Sequence, residues 1–402
     1  MSLPSRSRQH RRPAGWALGA AAVLVLSGCG DSAVPSADTR TAGSPPSATS
    51  AAPSTQASPS AQATPRSTAS PSNPAPAPSA SPSTPSGPPK ATDIVTGLET
   101  PWGLVSLKDG STLVSERDTG KILHVEGKNA REVTNLSDVR PRGEGGLLGL
   151  AVTKDEKTVY AYFTAADDNR IVVMDWDGAE LGEPKTILSG IPKGNRHNGG
   201  RLVIGPDNLL YVGTGEIGEE RLAQDKTSMA GKILRVTLTG KPAPGNPFDN
   251  EVYSYGHRNV QGLAFDDRGR LWASEFGNQT WDELNLVTKG GNYGWPEAEG
   301  SAKIDGLINP KVVWGTSDAS PSGLAFWQGE LWMATLQGKR VYEIPLDGTD
   351  VGEPKSHFTN DYGRLRSITV ASDGKSMLLT ASNTDGRAQP EGSDDELLRI
   401  TR

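Results

Sequence analysis

The stretch "NGGRLVIGPDNLLYVGTGE", Asn198 to Glu216, decides the fold. It reads as a short apolar run, a turn built on Gly and Asp, and a second run of alternating apolar residues. That is strand, turn, strand. The same pattern recurs in "PWGLVSLKDGSTLVSER" from Pro101, "EGGLLGLAVTKDEKTVYAYFT" from Glu144 and "VQGLAFDDRGRLWASEFG" from Val260. It returns in "PSGLAFWQGELWMATLQG" from Pro321 and "RLRSITVASDGKSMLLTASN" from Arg364. Anchors at Leu104, Leu150, Leu202, Leu263, Leu324 and Ile368 lie 44 to 61 residues apart. Six hairpin units at a period near 50, with no long helical periodicity, predict an all-β six-bladed β-propeller. An irregular array of sandwiches is the structural alternative.

In a propeller the inner strand of each blade lines a central channel, so residues just before it sit at the channel mouth. His197 and Asn198 precede Arg201–Ile204 in one unit, and Arg258 and Asn259 precede Gly262–Phe265 in the next. Glu144 precedes the unit at Leu147, and Arg364 and Arg366 stand at the corresponding edge of the last. Polar residues thus recur at one register. Gly199 and Gly200 remove side chains where a flat ligand could lie against the backbone.

Several motifs compete for the chemistry. "GTGEIG", Gly213 to Gly218, matches a dinucleotide fingerprint and follows a strand. It should then open a helix in a parallel unit, yet its surroundings are β-hairpins, so it reads as a chance match. The five histidines show no H-x-H or H-x-x-x-H pair, so a histidine metal cluster is not signalled. His124 and His357 lack polar neighbours in sequence and read as structural; His257 is open. His197, flanked by Arg196, Asn198 and glycines, has the best case for proton transfer, with Glu216 at the far end of its hairpin as an orienting carboxylate. Arg258, Arg364 and Arg366 aim three cations at one channel, which calls for an anion or for carboxylates of neighbouring blades. "EFGNQTWDELNLVTKGGNYGWPE", Glu275 to Glu297, is rich in oxygen donors and glycine, which suits a hard cation, without EF-hand spacing.

The N-terminal part is different. Residues 1–29 carry Arg6, Arg8, Arg11 and Arg12, an apolar run from about Ala14 to Leu26, and Leu26-Ser27-Gly28-Cys29. This is a secretory signal peptide ending in a lipobox, with Cys29 as the expected lipidated residue; Arg11-Arg12 leaves Sec or twin-arginine export open. Cys29 is the chain's single cysteine, so no intrachain disulfide forms. Residues 30–89 are almost wholly Ser, Pro, Ala and Thr and read as a disordered tether. The expected arrangement is a lipid-anchored protein on the extracytoplasmic face, with residues 90–402 as its folded domain. Of 41 Lys+Arg and 47 Asp+Glu, six and two fall in the first 89 residues, so residues 90–402 carry a formal net charge of −10. That excludes nucleic acid as an expected partner.

The stretches "PWGL...ERDTGKI", "GEGGLLGLAV", "HNGGRLVIGPD", "YGHRNVQGLAFD", "WDELNLVTKGGNYGWP" and "GRLRSITVASDG" resemble, in order, the soluble quinoprotein glucose dehydrogenase family, also called glucose/sorbosone or aldose sugar dehydrogenases. The resemblance spans about Leu98 to Ile400. It implies a six-bladed propeller that binds pyrroloquinoline quinone (PQQ) and calcium at the channel mouth and oxidises the anomeric hydroxyl of an aldose to a lactone. It also implies an electron acceptor, whose identity the sequence does not give. On this resemblance His197 is the general base, with Glu216 as its partner. Arg258 stabilises charge on a quinone oxygen. Glu144, Asn259, Gln337, Arg364 and Arg366 contact the cofactor. Gly277 and Asn278 offer oxygens to calcium, Asp282, Glu283 and Tyr293 fall where some members bind further calcium, and Trp314 covers the substrate. Two departures stand out: Glu144 replaces a Gln, and Gln337 replaces a Lys, which makes the pocket more negative unless Lys339 or Arg340 reaches in. The alternatives are a non-catalytic extracellular propeller that binds a ligand or partner, and a calcium-dependent lactonase, whose metal prefers side-chain carboxylates and Asn.

Overall fold

The computed structural model describes residues 87–402. The expected signal peptide, Cys29 and all but the last three residues of the expected tether lie outside the described residues. Six antiparallel sheets follow one another; four run in simple up-and-down order, the fifth carries an extra short strand, and the sixth is completed by the first strand of the described chain. Their inner strands are Pro101–Ser106, Leu147–Val152, Leu202–Ile204, Val260–Phe265, Pro321–Trp327 and Leu365–Val370. Each inner strand packs beside the next, and the last packs beside the first, so the ring is closed. The six-bladed propeller expected from the repeats is the fold observed.

Each hairpin has a local cause. In the fourth blade Leu263, Ala264 and Phe265 pair with Ala273, Trp272 and Leu271. Asp266 opens the turn, and its side chain accepts the N–H groups of Arg268 at 3.0 Å and Arg270 at 2.9 Å. Asp109, Asp155, Asp207 and Asp373 make the same bond to a backbone N–H two residues on. An aspartate that supplies its own turn acceptor explains why Asp recurs in the repeat. The fifth blade turns instead through Gln328 and Gly329, both at positive φ.

The core is divided. Six clusters of buried apolar residues each sit between two neighbouring sheets, such as Leu113, Ile122, Val159 and Phe163 between the first and second. Each sheet is therefore apolar on both faces, and its polar residues are driven to its two ends and its outer edge. The ring is closed by sequence-distant strands. Lys90–Val95 pairs with Leu397–Thr401 and forms the outer strand of the last blade. His124 packs edge-on against Trp176, as a structural residue should. His357 differs from expectation: its Nε2 meets Glu343 Oε2 at 2.8 Å. Strand pairing brings that carboxylate to it from 14 residues away in sequence, beyond the reach of local reading.

Candidate active site

Channel-mouth residues come from both ends of each hairpin. The chain enters an inner strand at the mouth, and the second strand returns to it. His197 therefore meets Glu216 from across its own hairpin, Nδ1 to Oε1, in a short contact. Both are buried, at 6% and 1% exposure. His197 has φ +55°, a left-handed conformation that non-glycine residues rarely adopt. Its N–H donates to Glu144 Oε2 at 2.8 Å, and its carbonyl accepts the N–H of Ile217 at 3.2 Å. Gly215 has to be glycine, since a Cβ there would lie 1.9 Å from the His197 carbonyl oxygen. Backbone strain at a buried histidine, held by bonds on both sides, is a mark of a functional position.

Arg258 and Asn259 enter from the next blade. The Arg258 guanidinium donates to the Gly277 carbonyl, to the Phe276 carbonyl at 3.3 Å and to Asn278 Oδ1 at 3.2 Å. It lies over the Trp295 ring at 5.3 Å. Its backbone N–H is fixed by Glu275, whose other oxygen meets His257 Nδ1 at 2.8 Å. His257 Nε2 meets Ser254 Oγ at 2.8 Å, and all three residues are buried, so this Ser–His–Glu array is a brace rather than a nucleophile. Asn259 Oδ1 accepts the Gly199 N–H at 3.0 Å.

Among the buried N–H donors here that have no partner are Arg258 Nε, Asn259 Nδ2 and Arg366 Nε, along with Arg201 Nη2 and Trp295 Nε1. Such orphans are rare because each costs about 1–3 kcal/mol. Arg366 donates to Gln261 Oε1 at 2.8 Å, and burial pulls its pKa down to about 9. Arg364 donates to Asp385 Oδ2 at 3.0 Å, and Arg366 approaches the same oxygen at 3.8 Å. Asp385 thus meets part of the charge that the sequence left unassigned. Arg201, one residue before the anchor Leu202, extends to Ser367 Oγ at 3.0 Å and lies over Trp102 at 4.3 Å. Gly103, Gly149, Gly262 and Gly323 stand at the same register of other blades, where a Cβ would meet the backbone of the next blade.

The residues assigned to calcium divide. The oxygens of Phe276, Gly277 and Asn278 converge, but on the Arg258 guanidinium. Asp282 accepts N–H groups of Gly277 and Ser320, whereas Glu283 accepts from Asn285 Nδ2 and the Gly300 N–H. As neighbours on one strand the two carboxylates face opposite sides of the sheet. Burial raises Asp282 to about 6 and Glu283 to about 8, the latter helped by the charge of Glu275. The Tyr293 hydroxyl is already bonded to Leu286 and Thr288, and its ring stacks on His257. Among the described residues no group of three or more His, Cys, Asp or Glu is placed to hold a metal. Trp314 is not brought to the mouth's surface. It is buried between the fourth and fifth blades, tilted against Tyr342 at 5.4 Å, because the outer strand turns it toward the next sheet.

Gln337 is exposed on the wall of a cleft of about 490 Å³ that also includes Lys339, Arg364 and Arg387. Arg340 turns away, to the Gly338 carbonyl and the face of Tyr342. The cation that does reach the mouth is Arg387, which donates to Glu144 Oε1 at 2.8 Å. Sequence reading missed Arg387 and Asp385. The available signal was their place after the last blade's second strand, on the side of the hairpin from which Glu216 comes in the third blade.

A family model for glucose/sorbosone dehydrogenases matches residues 98–390. The chain belongs to this family. The PQQ-bound form of aldose sugar dehydrogenase from Streptomyces coelicolor is 50% identical, with a TM-score of 0.76 over 79% of this chain and 99% of that one. Aldose sugar dehydrogenase YliI of Escherichia coli is 29% identical over 348 residues, 76% of this chain and 90% of its own. Quinoprotein glucose dehydrogenase B of Acinetobacter calcoaceticus is 34% identical over 253 residues, 52% of each chain. Membership in the glucose/sorbosone dehydrogenase family makes the protein an oxidoreductase of the sugar dehydrogenase type.

Proposed function

We propose that the protein oxidises the anomeric hydroxyl of an aldose to the lactone, with PQQ as resident electron acceptor. The observation that carries this is the set of orphaned donors, Arg258 Nε, Asn259 Nδ2 and Arg366 Nε, beside a histidine held by a buried carboxylate. Uncharged hydroxyls alone would not call for so many cations; a flat, oxygen-rich polyanion does. The PQQ-bound relative at 50% identity supports the same reading. The residues fit such a group: Arg258, Asn259, Arg364 and Arg366 would hold its oxygens. When bound, it supplies a two-electron acceptor for the hydride that leaves the sugar's anomeric carbon.

The chain's own residues do the rest. Glu216 takes up Nδ1 of His197, which leaves Nε2 to accept the hydroxyl proton as the sugar's C–H bond breaks. The buried carboxylate then stabilises the imidazolium that forms. Arg258 supplies positive charge where negative charge develops. Calcium belongs to the proposal as well. Phe276, Gly277 and Asn278 offer hard oxygens, for which it would compete with the Arg258 guanidinium. Lipidation at Cys29 and an extracytoplasmic location also belong to it, supported by the sequence of residues 26–29.

The test is calorimetric titration of apoprotein with PQQ, with and without calcium, followed by single-turnover mixing of the loaded protein with a panel of aldoses. Saturable binding and loss of the oxidised quinone spectrum are expected. Binding without reduction by any aldose would make this a binding module, and no binding at all would remove the cofactor from the account.

A further inference from the structure

Glu144 has two oxygens and two different tasks. Oε2 accepts the N–H of His197, and Oε1 accepts from Arg387 Nη2, each at 2.8 Å. Glu144 comes from the segment entering the second blade and Arg387 from the loop after the second strand of the sixth, 243 residues away. His197 enters the third. One three-membered line thus ties together the mouths of the second, third and sixth blades. It ends on the backbone of the residue that carries the reacting imidazole.

We propose that Arg387 is a positioning residue for proton transfer: through Glu144 it holds the His197 backbone in its left-handed conformation and so aims the ring. This rests on the sugar-oxidation reading for its reaction, but the contact itself does not.

Three observations support it. His197 stands at φ +55°, so something has to hold it there. A Glu144 carboxylate is the strong acceptor in reach of its N–H, and a charged acceptor binds more firmly than a neutral one. Burial would push Glu144 toward its neutral form; the hydrogen bond from Arg387, then that from the His197 N–H, reverse this and hold it below the ordinary range. The other charged groups near Glu144 are His197, Arg117 and Arg366, the last two lining the same small space, and Arg117 is itself paired with Asp118 at 2.6 Å. Arg387 also borders both the 490 Å³ cleft and the small space lined by Trp102, Gln261 and Arg366, so its seating reports on the whole mouth.

The experiment uses Arg387→Ala, Arg387→Lys, Glu144→Gln and the double variant Glu144→Gln/Arg387→Ala. In apoprotein the Nδ1 proton of His197, bonded to Glu216, gives a downfield NMR resonance that needs neither cofactor nor sugar. It should broaden or vanish in Arg387→Ala and persist in Arg387→Lys. In PQQ-loaded enzyme at saturating aldose, Arg387→Ala should lower kcat about tenfold, as expected for losing one charge-assisted bond. Its acid limb should move to higher pH as Glu144 protonates more easily. The double variant should be no worse than Glu144→Gln alone. An unchanged downfield resonance in Arg387→Ala overturns the proposal whether or not the protein oxidises sugars. Additive losses in the double variant also overturn it, because Arg387 would then act independently of Glu144.

Discussion

His197 is the residue on which the chemistry turns, and its environment predicts how substitutions behave. His197→Gln keeps the size but cannot take a proton, so single-turnover reduction should slow by about 10²- to 10⁴-fold. Calorimetry should find quinone affinity little changed. Glu216→Gln should cost less, since it loosens the ring without removing the base. Asp385→Asn separates binding from stability. It removes the internal counter-ion of Arg364 and Arg366, so the fold should lose about 3–5 kcal/mol, as when a buried pair is broken. An added polyanion should then raise the melting temperature by more than it does in wild type. The buried carboxylates set a pH dependence of known sign. Glu283 is raised from 4.5 to about 8 and Asp282 from 3.8 to about 6. Between those limits the folded chain keeps protons that the unfolded chain has released, so stability should fall as pH rises from about 4 to 8. Melting curves across that range check it, and Glu283→Gln should flatten the slope. How legible these residues were follows from geometry. Arg258 and Asn259 stand immediately before an inner strand and His197 five residues before one, where the repeat fixes their place. Arg387 and Asp385 follow a second strand through a loop with no fixed spacing, and the facing of Trp314, on an outer strand, depends on the neighbouring sheet.

At the scale of the element, the inner strand explains why the repeat ends in glycine before its anchor. A Cβ on Gly149 would lie 2.1 Å from the Gly200 carbonyl oxygen, and one on Gly103 would lie 2.6 Å from that of Leu148. In five of the blades a register irregularity interrupts the inner strand just before or at this point, letting adjacent backbones approach. Gly149→Ala should therefore destabilise by about 1–3 kcal/mol or more, from overpacking between two blades. Gly392→Ala, with nothing within 4 Å of the added methyl, is the control and should melt with wild type. Equal melting of both variants would mean that the blades can spread apart. The hairpins and their number were legible because alternation and Asp turns repeat. The irregular third blade, whose inner strand is only three residues, was placed by its anchor rather than by its length.

For the whole molecule, the ring closes through strand pairing between its ends. Removing Lys90–Val95 should leave Leu397–Thr401 as an unpaired edge, lower the melting temperature and promote aggregation, which light scattering during heating would show. Survival of a truncated chain with unchanged melting would assign closure to the inner strands alone. The proposed lipid anchor is tested at the same scale. Cys29→Ser should move the protein from the membrane to the soluble fraction or block its processing; unchanged fractionation would rule out the lipobox. The closing strand itself was invisible to the repeat, because "KATDIV" belongs to a blade whose other three strands, Leu365–Val370, Met377–Ala381 and Leu397–Thr401, lie at the far end of the chain.

That closure also sets a timetable. A ribosome makes Lys90–Val95 before any other strand of the ring, yet its hydrogen-bonding partner is made last. Through nearly the whole of synthesis the first strand has nowhere to go, and the five complete hairpin sheets between can form only an open arc. Pairing across such a sequence separation is slow to find. The finished ring is therefore an event of the completed chain, and until then Lys90–Val95 lacks the strand it pairs with in the folded protein.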